Sequence, residues 1–465
     1  MILFLKIKIL FLICFLSFGF ESPIKPNKDE TLSWSFQNIS NNKENYDLNS
    51  DQKSIPASIL KVVSMSYALD SLGPNFTFKT KVFYDGKIKK EVLYGNIYIV
   101  GGSDPYIQHP QLINIAKSIS RLGITKVTGA LIYDISSYPE QHKISELGFG
   151  DQTYNPSFGP LNSVFNRHSL WKRKKNDYVS IIPELEIELT SSSKLLPTQK
   201  FEWKRDTKKE SWEFSKKNNF KQREDIPIRN AALWTTKLLK LHLESLGVKI
   251  DNIKKGTLPK RSKHIFTSES LPLYSLVSLT MEYSNNLLAE AISMKACQKK
   301  SVSPLTQSTC AKKIEKYFVG ITGEKSVFVN ASGLSTYNLV SAKGLSIFIK
   351  EISKKNWKGH TLESFLSISG QSGWMRNRLN SPNYNMRVFA KTGSLDFINN
   401  ITGLLRTKKN EWFSFTILHS DDEKRAILDS KKESKLKQLK NEAKSWRKRS
   451  LNKTNLLIQS FIDQN

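Results

Sequence analysis

Ile55-Pro56-Ala57-Ser58-Ile59-Leu60-Lys61-Val62-Val63-Ser64-Met65-Ser66-Tyr67-Ala68-Leu69 is the stretch from which the rest of this chain is read. Ile59, Leu60, Val62, Val63, Met65, Ala68 and Leu69 recur at helical spacing until Gly73-Pro74, so a helix begins near Ser58 and stops at Gly73. Ser58 and Lys61, three apart, share one face of that helix. A nucleophilic serine needs a base within hydrogen-bond reach and donors for the oxyanion it generates. A helix start supplies backbone N–H groups and the positive end of a dipole. That dipole, burial and a second nearby cation all favour the neutral amine, drawing Lys61 down from an ordinary value of about 10.4. A neutral Lys61 is able to take the Ser58 proton.

Ser-x-x-Lys alone is weak in a Lys-rich chain, and it recurs at Ser40/Lys43, Ser50/Lys53, Ser434/Lys437 and Ser450/Lys453. None of those opens an apolar helix after Pro-Ala. Two further elements strengthen the reading. Ser284-Asn285-Asn286 follows an apolar helical stretch and precedes Leu287-Leu288-Ala289-Glu290, although Ser-x-Asn also occurs at Ser40-Asn41-Asn42 and Ser381-Pro382-Asn383. Lys391-Thr392-Gly393-Ser394 follows the strand-like Arg387-Val388-Phe389-Ala390, and Lys-Thr-Gly occurs once.

The order Ser-x-x-Lys, Ser-x-Asn, Lys-Thr-Gly, on helix start, helix-joining loop and strand, resembles the active-site grammar of penicillin-recognising serine enzymes. Ser58 and Ser284 are 226 positions apart, against 107 between Ser284 and Lys391. A large insertion between the first two motifs is similar to the class C low-molecular-mass penicillin-binding proteins, the D-alanyl-D-alanine carboxypeptidase/endopeptidases. Gly95 to Pro105, Val127-Thr128-Gly129, Asn330-Ala331-Ser332-Gly333-Leu334-Ser335 and Ser369-Gly370-Gln371-Ser372-Gly373 extend the resemblance along the chain.

The resemblance implies an α+β multi-domain fold: a β-lactamase/transpeptidase-like catalytic domain, helices on a five-stranded antiparallel sheet, interrupted by a nested, mainly β insertion. The expected boundaries are a signal peptide at 1–19, the catalytic domain at 20–78 and 262–465, the inserted domain at 79–168 and 226–261, and a small nested insertion at 169–225. By resemblance, Ser58 is the acylated nucleophile and Lys61 its general base. Ser284 relays protons, helped by Lys391, and Asn286 holds the substrate's amide carbonyl. Lys391 and Thr392 bind the terminal carboxylate, Gly393 lets the substrate backbone lie against the strand, and the N–H groups of Ser58 and Ser394 form the oxyanion hole. The implied substrates are peptidoglycan stem peptides, with β-lactams as inhibitors and no cofactor or metal. Asn285 stands where an Asp is common, and the Lys-rich innermost insertion departs from the family pattern.

The remaining features fit around that reading. The chain has 465 residues, 71 Lys+Arg against 42 Asp+Glu, a formal net charge of +29, and 39% hydrophobic residues, enough for packed cores. Such a charge suits a polyanionic partner or a solvated Lys-rich surface. Lys6 and Lys8 precede the apolar run Ile9 to Phe18, which reads as an export signal and points to the periplasm. Export excludes intracellular nucleic acid as a partner and leaves anionic envelope polymers or a membrane surface for the charge run 421–453, which holds twelve Lys/Arg against six Asp/Glu. Phe201, Trp203, Trp212 and Phe214 interleave with charged residues and read as a two-sided hairpin rather than a base-stacking surface. Cys297 and Cys310, 13 positions apart, fit either a disulfide or two buried thiols. The seven histidines are dispersed, without zinc-ligand spacing. Two rival readings share the motifs: a β-lactamase, which lacks the long insertion, and a catalytically silent peptidoglycan-binding relative.

Overall fold

Strand Thr31–Asn38 pairs antiparallel with Trp412–Ser420 along its whole length, placing Phe36 opposite Phe415 and joining the two ends of the chain in one sheet. The sheet order is Ser367–Ile368, Val388–Leu395, Ile398–Arg406, Trp412–Ser420, Thr31–Asn38, Asn45–Leu48, with every pairing antiparallel. It has six strands rather than the expected five. The extra edge arises because the polar stretch after Asn38 turns back and sets Leu48 beside Trp34. The computed structural model describes residues 20–465 except 26, 42–43, 148–151, 175–176, 197, 207–208, 218–220, 300–303 and 431–432. The expected signal peptide lies outside the described residues.

Nine α-helices occur among the described residues: α1 Lys61–Leu72, α2 His109–Ser120, α3 Ala231–Ser245, α4 Leu273–Tyr283, α5 Asn286–Gln298, α6 Gln307–Thr322, α7 Ala342–Ser353, α8 Asp422–Asp429 and α9 Glu433–Gln464. Local chemistry sets several of their starts. Asn285 caps α5 by accepting Leu288 N–H, Ser341 caps α7 by accepting Gly344 N–H, and Asp421 caps α8 by accepting Lys424 N–H. The central strands Ile398–Arg406 and Trp412–Ser420 are buried nearly throughout because helices cover both faces. On one face lies α7, whose Ser346 hydroxyl donates to the Ser35 carbonyl, in a core shared with α1, α4, α5 and α6. On the other lies α9, with Phe461 stacked on Phe36 at 3.9 Å between ring centroids.

The charge run 421–453 follows the strand Trp412–Ser420. It forms α8 and much of α9 itself. Leu436, Leu439, Ala443 and Trp446 recur at helical spacing and are buried, and Lys is an adequate helix former, so the longer part of the run is helical in α9.

Between α1 and α4 a separate seven-stranded sheet carries its own core, with α2 and α3 packed on it. Its strand Lys263–Glu269 pairs antiparallel with Lys79–Tyr84. The boundary expected at 261/262 therefore falls short of a strand that belongs with this sheet, because Ile265 and Phe266 pack into the core of Val82 and Ile99. Within this part, residues 167–227 form two three-stranded sheets around Leu170, Phe201, Trp212 and Phe214. Trp212 is fully buried there, and strand Phe201–Trp203 pairs antiparallel with Glu210–Ser215, so those aromatics build a core. Cys297 on α5 and Cys310 on α6 form a disulfide.

Candidate active site

A 3₁₀ turn, Ala57–Leu60, carries Ser58 and runs directly into α1. The turn is anchored to the sheet by Asn400, whose side-chain amide donates to the carbonyls of Ile55 and Pro56 at 2.8 and 3.0 Å. Ala57 has φ +49°, a conformation costly for a residue with a Cβ and tolerated where surrounding packing fixes it. Gly333 explains part of that fixing. It has φ +78°, and a Cβ there would stand 1.9 Å from the Ala57 carbonyl oxygen, so only glycine lets the 330–335 loop close over the Ser58 turn.

Lys61 is fully buried behind Ser58. Its Nζ lies 2.9 Å from Ser58 Oγ, 2.6 Å from Asn286 Oδ1 and 2.7 Å from the Ser332 carbonyl oxygen. Burial pushes its pKa well below the ordinary lysine value, the positive charge of Lys391 pushes the same way, and Glu290 opposes both. Lys391, on strand Val388–Leu395, is also buried and donates to Ser284 Oγ at 2.9 Å; burial holds its pKa down at about 7. Ser284 itself ends α4 in the left-handed region, at φ +56°. The three motifs thus meet through two buried lysines, each against a serine hydroxyl.

Ser58, Ser284, Asn286, Thr392 and Ser394 all line one open cleft of about 650 Å³, as does Asn285. Gly393 sits beside Ser58: a Cβ there would meet Ile59 N, Pro56 O and Ser58 N at 2.8–2.9 Å, so the missing side chain lets the strand lie against the nucleophile turn. One N–H of the Asn286 amide also donates to the Tyr154 carbonyl at 2.8 Å, in a loop of the inserted part.

Several participants carried no recognised motif. Glu290, fully buried on α5, accepts the N–H groups of Ala331 and Ser332 at 3.1 and 2.8 Å and so positions the carbonyl that holds Lys61. A carboxylate inside the largely apolar run Leu287–Met294 is a signal that could have marked it. The mouth of the cleft presents exposed Tyr283 and Trp374 on one side, and Arg425, Lys440 and Arg447 of α8 and α9 on the other. Lys440 pairs with Asp396 at 2.5 Å, and Arg425 pairs with Asp429.

Comparison with known proteins agrees with this geometry. The sequence profile of the D-Ala-D-Ala carboxypeptidase 3 (S13) family matches residues 25–165 and 216–442, skipping most of the small double-sheet insertion. D-alanyl-D-alanine carboxypeptidase DacB of Haemophilus influenzae is 24% identical over 404 residues, spanning 82% of this chain and 83% of its own. The crystal structure of penicillin-binding protein 4 from Haemophilus influenzae has a similar fold, with a TM-score of 0.76, 22% identity, and coverage of 85% of this chain and 91% of that one. A predatory endopeptidase from Bdellovibrio bacteriovorus is similar more distantly, with a TM-score of 0.50, 16% identity, and coverage of 90% and 93%.

Proposed function

The chain belongs to the D-Ala-D-Ala carboxypeptidase 3 (S13) family, and from that premise we propose that it hydrolyses peptidoglycan stem peptides through an acyl-enzyme on Ser58, as a carboxypeptidase, an endopeptidase or both. The observation that carries the assignment is the coordination of Lys61. A neutral amine has two N–H donors and one lone pair. Asn286 Oδ1 and the Ser332 carbonyl, both pure acceptors, take the two donors, so the lone pair is left for the Ser58 hydroxyl. Burial and the charge of Lys391 both favour that neutral form.

In this mechanism Ser58 Oγ attacks the carbonyl carbon of the penultimate D-Ala while its proton passes to Lys61 Nζ. The N–H groups of Ser58 and Ser394 stabilise the oxyanion, each such donor being worth about 10²–10³ in rate. Collapse breaks the peptide bond, and the leaving amine takes a proton delivered from Lys61 through Ser284. Water then attacks the ester, with Lys61 again accepting the proton, and Ser58 is regenerated. Lys391 and Thr392 receive the terminal carboxylate, and Asn286 orients the peptide through its cleft-facing amide. A β-lactam acylates Ser58 in the same way and stays attached. The N-terminal run Ile9 to Phe18 supports action after export, in the periplasm.

Fluorescent penicillin labelling tests the nucleophile: purified protein is expected to carry one covalent label, lost in Ser58→Ala. Absence of label on the wild type, or unchanged label on the variant, would sink the acyl-enzyme. Mass spectrometry of digested peptidoglycan separates the two activities, since tetrapeptide monomers from pentapeptides mean carboxypeptidase and loss of dimers means endopeptidase.

A further inference from the structure

One edge of α9 is a row of cations. Lys437, Lys440, Lys444, Arg447 and Lys448 fall within one roughly 100° arc of the helix, at 3.6 residues per turn. Glu442, the acidic residue between them in sequence, projects from a different side and lies near Lys424. Lys440 is tied to Asp396. Lys437, Lys444, Arg447 and Lys448 are exposed, and no ion pair or hydrogen bond of their side chains is made among the described residues. Two members of the row, Lys440 and Arg447, also line the cleft that holds Ser58. The row is therefore continuous with the catalytic site, and Arg447 is an unpaired cation where it opens into the cleft.

We propose that this row docks the carboxylate-bearing peptide strands of the polymeric wall substrate and leads them to the Ser58 cleft. The inference rests on the stem-peptide reading above and adds to it the surface by which polymer, rather than small peptide, is engaged. Every stem peptide not used as a crosslink donor ends in a carboxylate, so a wall polymer presents repeated anions at the spacing of its peptides. A row of mobile lysines attracts such a ligand over about a Debye length without demanding one geometry. A bilayer fits less well. An interfacial helix needs an apolar face to insert, whereas Leu439, Ala443, Trp446, Leu457 and Phe461 of α9 are all buried against the protein.

The test uses the full exported chain and the triple variant Lys437→Gln, Lys444→Gln, Lys448→Gln, three residues that do not line the cleft. Fluorescent-penicillin labelling rate and turnover of a soluble tripeptide ending in D-Ala-D-Ala are expected to match the wild type, which also reports correct folding. Cosedimentation with purified sacculi at low salt is expected to weaken several-fold, with a shallower dependence on salt. Sacculi whose carboxylates have been amidated should bind the wild type no better than the variant. Unchanged sacculus binding by the variant, or equal wild-type binding to amidated sacculi, overturns the proposal. So does a variant that loses binding to phosphatidylglycerol vesicles while keeping sacculus binding, which would make the row a membrane contact. Failure of the wild type to react with penicillin would remove the acyl-enzyme reading instead, leaving the sedimentation result to judge the row by itself.

Discussion

The buried carboxylate of Glu290 accepts the backbone N–H of Ser332 at 2.8 Å, and the carbonyl of that same Ser332 accepts Lys61 Nζ at 2.7 Å. One residue thus transmits the position of α5 to the amine beside the nucleophile. Glu290→Ala strands two buried N–H groups, at about 1–3 kcal/mol each, and is expected to lower the melting temperature and the penicillin acylation rate together. Glu290→Gln keeps an acceptor for both and should preserve the fold. It removes the one charge that favours protonated Lys61, so the acid limb of the acylation rate should move to lower pH. A Gln variant whose limb stays in place would show that Glu290 acts by geometry alone.

Lys391 has the opposite electrostatic effect on Lys61. Below its own pKa of about 7 Lys391 is a cation that disfavours a second positive charge nearby, so in that range Lys391→Gln should let Lys61 hold its proton to higher pH and move the acid limb up. A stability effect accompanies this. With a folded pKa of about 7 against about 10.4 unfolded, Lys391 is neutral in the folded state and protonated in the unfolded state between those values. The unfolded chain then binds the extra proton, so stability climbs with pH across that window by at most about 1.4 kcal/mol per pH unit. Urea unfolding at two pH values within the window should show a smaller gain for Lys391→Gln than for the wild type. An equal gain would mean that Lys391 is charged throughout.

The Gly393 position is expected to tolerate nothing larger. A Cβ there stands within 2.9 Å of backbone atoms of Pro56, Ser58 and Ile59, and backbone cannot swing aside as a side-chain tip can. Gly393→Ala should push the strand and the nucleophile turn apart, costing on the order of 1–3 kcal/mol as overpacking does, and slowing penicillin acylation more than tenfold. If the residue served only the approach of substrate, acylation by a small β-lactam would be largely spared while turnover of longer peptides fell. The two readings therefore part on a single pair of rates.

The chemistry-bearing residues were legible because their motifs are local: Ser58 to Lys61 within one turn, Ser284 to Asn286 in one loop, Lys391 to Ser394 on one strand. What the sequence did not carry is how backbone carbonyls and close approaches knit those pieces together. Ser332 and Tyr154 act through main-chain oxygens that any residue possesses, so their side chains do not announce these roles, even where, as at 330–335, the stretch itself was noticed. The close approach of the Ser58 turn to Gly393 is a packing demand that the local motif does not reveal. The charge run 421–453 was conspicuous by composition, which hid the buried Leu436, Leu439, Ala443 and Trp446 at helical spacing beneath the lysines. Strand Lys263–Glu269 was assigned to the wrong side of a boundary because its partner, Lys79–Tyr84, is almost 180 residues away.

The disulfide between Cys297 and Cys310 joins the end of α5 to α6, and α5 also carries Asn286 and Glu290. Closing so short a loop, 13 positions, restricts the unfolded chain and is worth about 3 kcal/mol in the chain-entropy account. Cys297→Ala with Cys310→Ala is therefore expected to lower the melting temperature by several degrees. Cys297 lies at the opposite end of α5 from Asn286, the residue of that helix that contacts Lys61. At a temperature where the variant is still folded, its penicillin acylation rate should match the wild type. Non-reducing mass measurement checks the bond itself: exported protein should be lighter by two hydrogens than its reduced form. A variant that keeps its melting temperature would show that packing of Ile292, Ile314 and Phe318 in the shared core, rather than the covalent bond, holds α5 to α6.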